Sequence, residues 1–200
     1  MIRQVFTPIL VAASLVLLIS FAIRASFGVF QIPIANDLGW FRTEFSLAIA
    51  IQNLSWGIAT PFFGAFAEKL GDRKAILVGV LIYALGLSLS SIATTASEHQ
   101  MLEILVGVGV AGTGFGVVLG VVGRAASDEN RSLALGITTA AGSAGQIIGP
   151  PLTQYLLHSM TWQSVFLFYS GLILLALLSL PFLKAPPKVT KSELEESLLS

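Results

Sequence analysis

Six apolar runs decide what this chain can fold into. They lie at about 7–31, 44–67, 75–96, 101–123, 131–157 and 162–183, and each matches the roughly 20 residues a helix needs to cross about 30 Å of hydrocarbon. Polar knots separate them: Asn36-Asp37 through Glu44, Glu68 through Lys74, Ser97-Glu98-His99, Ser127 through Arg131, and His158-Ser159. Runs such as Leu77-Val78-Gly79-Val80-Leu81-Ile82 do not alternate, which argues against a β-barrel. Charged residues make up 11% of the chain and apolar residues 54%. A water-soluble fold of this size could not hide that much apolar surface. The first run is too long for a signal-peptide core and ends in no small-x-small cleavage site, so it reads as a retained helix. The expectation is an all-α integral membrane protein, with six transmembrane helices in residues 1–184 and a polar, Pro-broken cytoplasmic tail or linker in 185–200.

Basic residues orient the spans. Placing both termini inside puts Arg3, Lys69, Arg73, Lys74, Arg124, Arg131, Lys184, Lys188 and Lys191 on the cytoplasmic face, against Arg42 outside and Arg24 within a span. This predicts a multi-pass protein of the cell membrane with N and C termini cytoplasmic. The net charge is zero, so nothing suggests a nucleic-acid partner. Without cysteine there is no disulfide, no thiolate metal site and no thiol nucleophile. His99 and His158 stand at segment ends and read as loop or interfacial residues. No metal or cofactor is expected.

The chain echoes itself. Ser46-Leu47-Ala48-Ile49-Ala50-Ile51 opens span 2, and Ser132-Leu133-Ala134-Leu135-Gly136-Ile137 opens span 5. Each follows a loop holding Arg and Glu, and each leads into a Gly/Pro-containing stretch. An offset of three spans sets the copies in opposite orientations, as in a 3+3 inverted repeat.

Few side chains carry chemistry. Arg24 lies within span 1, beyond the midplane, where an arginine costs about 2.5–3.5 kcal/mol. It is expected to face a cavity or a partner, and its forked, permanently charged head suits a carboxylate. Gln52 and Asn53 in span 2 and Gln146 in span 5 are mid-membrane amides that join helices or line a path. Gln146, among glycines, is the best site candidate of the three. Gly112, Gly116 and Gly120 fall on one face of span 4 and permit close helix approach. Gly145, Gly149 and Pro150 loosen span 5. In the loop after span 2, Gly64 allows close contact and Gly71 a tight turn, beside Glu68, Lys69, Asp72, Arg73 and Lys74. Glu103 reads as lying close to the outer interface, which leaves no acid buried at mid-span.

That loop resembles the Gly-x-x-x-Asp-(Arg/Lys)-x-Gly-x-(Arg/Lys)-(Arg/Lys) signature between helices 2 and 3 of major facilitator superfamily transporters. Gly64, Lys69, Gly71, Arg73 and Lys74 match, and Glu68 replaces the usual Asp. Gly145, Gly149 and Pro150 resemble the family's Gly-x-x-x-Gly-Pro signature. Arg24 through Phe30, Asp37 through Trp40 and Ala141 through Gln146 look like bacterial members near the monocarboxylate and oxalate–formate carriers. The resemblance implies one six-helix half of a twelve-helix carrier, with Glu68, Lys69, Arg73 and Lys74 in a conformational latch. It implies transport of a small organic anion by alternating access, with Arg24, Gln52, Asn53 and Gln146 as substrate-contacting candidates. The implied partners are the lipid bilayer, the anion, and a second six-helix half or a copy of this chain. A partner-dependent subunit without transport of its own is the alternative. An intramembrane protease built on Ser143 is remote, since both histidines stand at outer ends.

Overall fold

The computed structural model describes residues 7–183. Arg3, Lys184, Lys188, Lys191 and the expected tail lie outside them. The regular elements among the described residues are helices: α1 Pro8–Ser26, a 3-10 turn Phe27–Phe30, α2 Gln31–Leu38, α3 Arg42–Leu70, α4 Asp72–Ser90, α5 Ala96–Thr113, α6 Phe115–Ala125, α7 Arg131–Leu157, α8 Trp162–Leu175 and a terminal 3-10 segment Ala176–Phe182.

Four stretches are long and apolar enough to cross a membrane: Pro8–Leu38, Asp72–Ser90, Ala96–Ala125 and Trp162–Phe182. The first runs on past the expected end at residue 31, because Asn36-Asp37 extends the helix instead of breaking it. Helices α3 and α7 are longer than any of the single α-helices in those stretches but more polar. α3 carries Gln52, Asn53, Ser55, Gly57, Thr60, Pro61 and Gly64, and α7 carries Thr138, Gly142, Ser143, Gly145, Gln146 and Gly149. Both were expected as spans, and these small and amide residues dilute their hydropathy below that of the four.

Packing pairs α1 with α7, α3 with α5, and α4 with both α5 and α8. Missing side chains set how closely these pairs approach. A Cβ on Gly149 would collide with the Ala22 carbonyl of α1, and one on Gly145 with that of Leu18. Gly112 lies against the backbone of Gly79, where an added Cβ would stand 2.6 Å from its Cα. Span 4 departs from the expected single helix: it is interrupted at Gly114, between α5 and α6. The expected face of Gly112, Gly116 and Gly120 is therefore divided. Gly112 serves the α4–α5 contact, Gly116 faces Thr60 of α3, and Gly120 has Arg124 as its nearest neighbour.

Hydroxyls join the helices. Ser20 Oγ and Thr113 Oγ1 are 2.8 Å apart, and Tyr83 Oη donates to the Ser20 carbonyl at 3.2 Å, linking α1, α5 and α4. Ser170 Oγ lies 2.7 Å from Ser88 Oγ and donates to the Ala84 carbonyl at 2.9 Å, linking α8 to α4. In an apolar surround such bonds act as glue between helices that gain nothing from ordinary hydrophobic contact. One face of α3 stays uncovered at Leu47, Leu54, Ile58 and Phe62, as does one face of α7 at Leu133, Ile147, Ile148 and Tyr155.

Gly149→Ala should destabilise the bundle by about 1–3 kcal/mol through forced separation of α1 and α7. Gly136→Ala, where nothing lies within 4 Å of the added carbon, should be neutral or stabilising by up to about 1 kcal/mol. Reversible unfolding in mixed micelles, followed by circular dichroism, measures both, and equal effects would contradict the packing.

Candidate functional site

Arg24 sits in the last turn of α1, immediately before the winding changes to 3-10 at Phe27. It is half-buried. Its Nη2 donates to Asn53 Oδ1 at 2.5 Å, and its Cζ lies 4.5 Å from the centre of the Trp56 ring. Asn53 is steadied in turn, because its Nδ2 donates to the Ile49 carbonyl one turn back. Trp56 meets Phe21 edge-on, with ring centres 5.8 Å apart. Among the described residues, the partners that fix Arg24 are thus a neutral amide and an aromatic face. Neither cancels its charge. A guanidinium held this way keeps donors for an incoming anion, and a ring face adds attraction without competing for those donors.

The structure brings Arg24 and Asn53 together and places the other two candidates elsewhere. Gln52 is buried, and its Nε2 donates to Glu103 Oε2 at 2.7 Å, inside the α3–α5 contact. Gln146 is exposed on α7, away from Arg24 and Asn53 in the hydrogen-bond pattern. Trp56 belongs to the Arg24 group as well. Two further expectations are corrected. His99 is buried at 1% exposure, not interfacial, and Glu103 is fully buried at 0%. Helix α5 starts at Ala96, so Glu103 lies two turns in and is roofed by neighbouring helices.

The turn between α3 and α4 is built on Gly71, whose φ of 99° suits a residue without a Cβ. Arg73 donates to the carbonyls of Pro181 and, at 3.2 Å, Leu183, tying α4 to the last segment. Asp72 pairs with Arg124 at the end of α6. Lys69 and Lys74 are exposed, Glu68 is exposed but engaged, and Gly64 is partly covered. The Asp72–Arg124 pair was not legible in the sequence, since 52 residues separate its members.

Comparison with known proteins bears on this arrangement. The sequence profile of the Major Facilitator Superfamily matches residues 13–199. The chain is 31% identical over 162 residues to monocarboxylate transporter 13 of Rattus norvegicus, covering 77% of this chain and 36% of that protein. It is 27% identical over 142 residues to the methyl viologen resistance protein SmvA of Salmonella typhimurium, covering 71% of this chain and 27% of that protein. The inward-open xylose transporter XylE from E. coli superposes with a TM-score of 0.77 at 15% identity, over 96% of this chain and 51% of that one. The chain thus spans about a third of the length of these curated relatives and about half that of the solved structure.

A double-mutant cycle of Asp72→Asn and Arg124→Gln should return a coupling of about 1 kcal/mol, as expected for a partly covered pair. The unfolding assay above measures it, and a coupling indistinguishable from zero would mean that the pair does not hold the α3–α4 turn.

Proposed function

This chain belongs to the Major Facilitator Superfamily, and on that premise we propose that it forms one wall of a secondary transporter for a small organic anion. Such transporters are multi-pass membrane proteins in which a midplane site is exposed alternately to either side. In this reading all six long segments span, α3 and α7 included, as an inverted 3+3 repeat with both termini cytoplasmic. The uncovered faces of α3 and α7 then meet a second six-helix half, supplied by another chain or by a copy of this one. Glu68, Lys69, Arg73 and Lys74 form the cytoplasmic latch, with the Asp72–Arg124 pair bracing it.

The Arg24 group carries the reading. A permanently charged guanidinium set among apolar residues, fixed by an amide and an aromatic ring, is a site prepared for a carboxylate. The rat relative's name, monocarboxylate transporter 13, supports this reading, while SmvA, at similar identity, is named for methyl viologen resistance. Asn53 acts as a positioning residue and Trp56 as one side of the pocket. Gln146, exposed on α7, is a further substrate contact in this reading.

The test is uptake of labelled lactate, benzoate and oxalate into liposomes containing the chain, beside Arg24→Ala and Arg24→Lys. A charge-assisted hydrogen bond contributes about 1.5–3 kcal/mol, so Arg24→Ala should weaken uptake about 10- to 100-fold. Arg24→Lys should retain part of it. Saturable uptake that is indifferent to both substitutions would refute the assignment.

A further inference from the structure

Span 1 and α3 pass each other in opposite directions. Gln31 donates to the Arg42 carbonyl and to Ser46 Oγ, each at 3.2 Å, Arg24 reaches Asn53, and Phe21 meets Trp56. On the Phe21 side of the guanidinium the space is filled. The Phe21 and Phe115 ring centres are 4.4 Å apart, and Phe115 lies against Gly142 of α7, where an added Cβ would stand 3.0 Å from its Cζ. The other side differs. Four residues on from Arg24, along the same side of the helix, stands Gly28. It is exposed, and a Cβ built on it would meet nothing within 4 Å.

A glycine within a helical stretch costs chain entropy, and nothing in the fold requires this one. Among the described residues, the glycines at positive φ are Gly39 and Gly71. Gly107, Gly109, Gly112, Gly145 and Gly149 let helices touch, because a Cβ there would collide with a neighbour. Gly28 meets neither need. Gly57, Gly64, Gly136 and Gly171 also have open surroundings, but they stand elsewhere. Gly57 and Gly64 follow Trp56 along α3, on the Phe21 side, and Gly136 and Gly171 belong to α7 and α8. Gly28 alone of these combines open space with a place one turn from Arg24 on its unfilled side. Beyond it the Gln31 amide is engaged, and Ile32 is exposed at 56%. From Arg24 toward α2 the surface therefore offers donors, then bare backbone, then an aliphatic side chain.

We propose that Gly28 sets the size of the anion this wall accepts; its role rests on the anion reading above and narrows it to monocarboxylates with an apolar body. The carboxylate meets the Arg24 guanidinium. The body lies across the bare backbone at Gly28, toward Ile32. Its direction follows from the packing, since Trp56, Phe21 and Phe115 already occupy the other side. A side chain at position 28 would fill the place of that body while displacing nothing in the protein, so it excludes ligand without disturbing the fold. Acetate, whose methyl is its whole body, stops short of position 28. Butanoate and benzoate reach it.

Equilibrium dialysis of the full chain in nanodiscs against radiolabelled acetate, butanoate and benzoate tests this, beside G28A, G28L, G57L and R24A. G28L should weaken butanoate and benzoate about tenfold or more and leave acetate within about twofold of the wild type. G28A should fall between the wild type and G28L. G57L, on the Phe21 side, should leave the ratio of benzoate to acetate affinity unchanged, and R24A should lose all three anions. Thermal unfolding of G28A, followed by circular dichroism, should come no earlier than in the wild type, because the added carbon displaces nothing. Affinities for acetate and benzoate that fall alike in G28L, or that both hold, overturn the role of Gly28. A ratio that moves in G57L and not in G28L places the body on the Phe21 side and overturns it too. In each of these cases binding that depends on Arg24 remains, and the anion reading stands. A wild type that binds none of the three, or binding indifferent to R24A, overturns the anion reading and the role of Gly28 with it.

Discussion

A helix turns by about 100° per residue, and that rotation gives Gln52 and Asn53 different neighbours. Gln52 turns into the α3–α5 contact and meets Glu103, while Asn53 meets Arg24 of α1. One helix therefore steadies an acid and a base that do not reach each other. Had the two charges paired directly, Arg24 would have fewer donors left for a ligand. Amides are suited to this work because each offers both a donor and an acceptor without charge, and in a bundle this apolar no solvent replaces a lost partner.

Close approach makes these short polar contacts possible. Gly149 and Gly145 bring α7 onto α1 just below Arg24, and Gly112 brings α5 onto Gly79 of α4. Helices in lipid gain little from burying apolar surface against each other, so contact area and interhelical hydrogen bonds must hold them. The tight pairs α1–α7 and α4–α5 lie within the bundle. The open faces of α3 and α7 carry large apolar residues instead, Leu54, Phe62 and Ile147 among them. Glycines stand where the backbones of these pairs meet, and the bulky residues of the open faces point where no helix of the described residues arrives.

Much of the architecture was legible from length and hydropathy alone. Each apolar run became helical, some with interruptions, and the Gly71 turn fell where the loop motif placed it. Arg24 stood out because a charge inside an apolar run has few excuses. Burial was harder to read. Glu103 and His99 look peripheral when counted from the end of a run, yet α5 begins early enough, and its neighbours reach far enough, to bury both. Burial here depends on which helices cover the residue, and that is a tertiary fact with no local signal. The same holds for Asp72 and Arg124, and for the separation of Gln52 from Gln146. The break at Gly114 was hidden by the abundance of glycine in span 4, where seven glycines offered no means of choosing among them.

That break has a physical logic once Trp56 is placed. Gly114 interrupts span 4 at the level where the Trp56 indole sits, 3.5 Å from where a Gly114 Cβ would stand. Span 1 loses its regular α winding close by, at Phe27–Phe30, just after Arg24. A continuous helix spends all its backbone polarity on itself, and an interrupted one releases N–H and C=O groups at the interruption. Inside a membrane such groups are tolerated only where protein or a cavity receives them. Both irregularities therefore fall beside the Arg24 group, where backbone polarity has a use. A side chain at position 114 would press on the Val110 carbonyl, 2.7 Å from the added carbon, so the interruption and the close seat of the indole both depend on its absence.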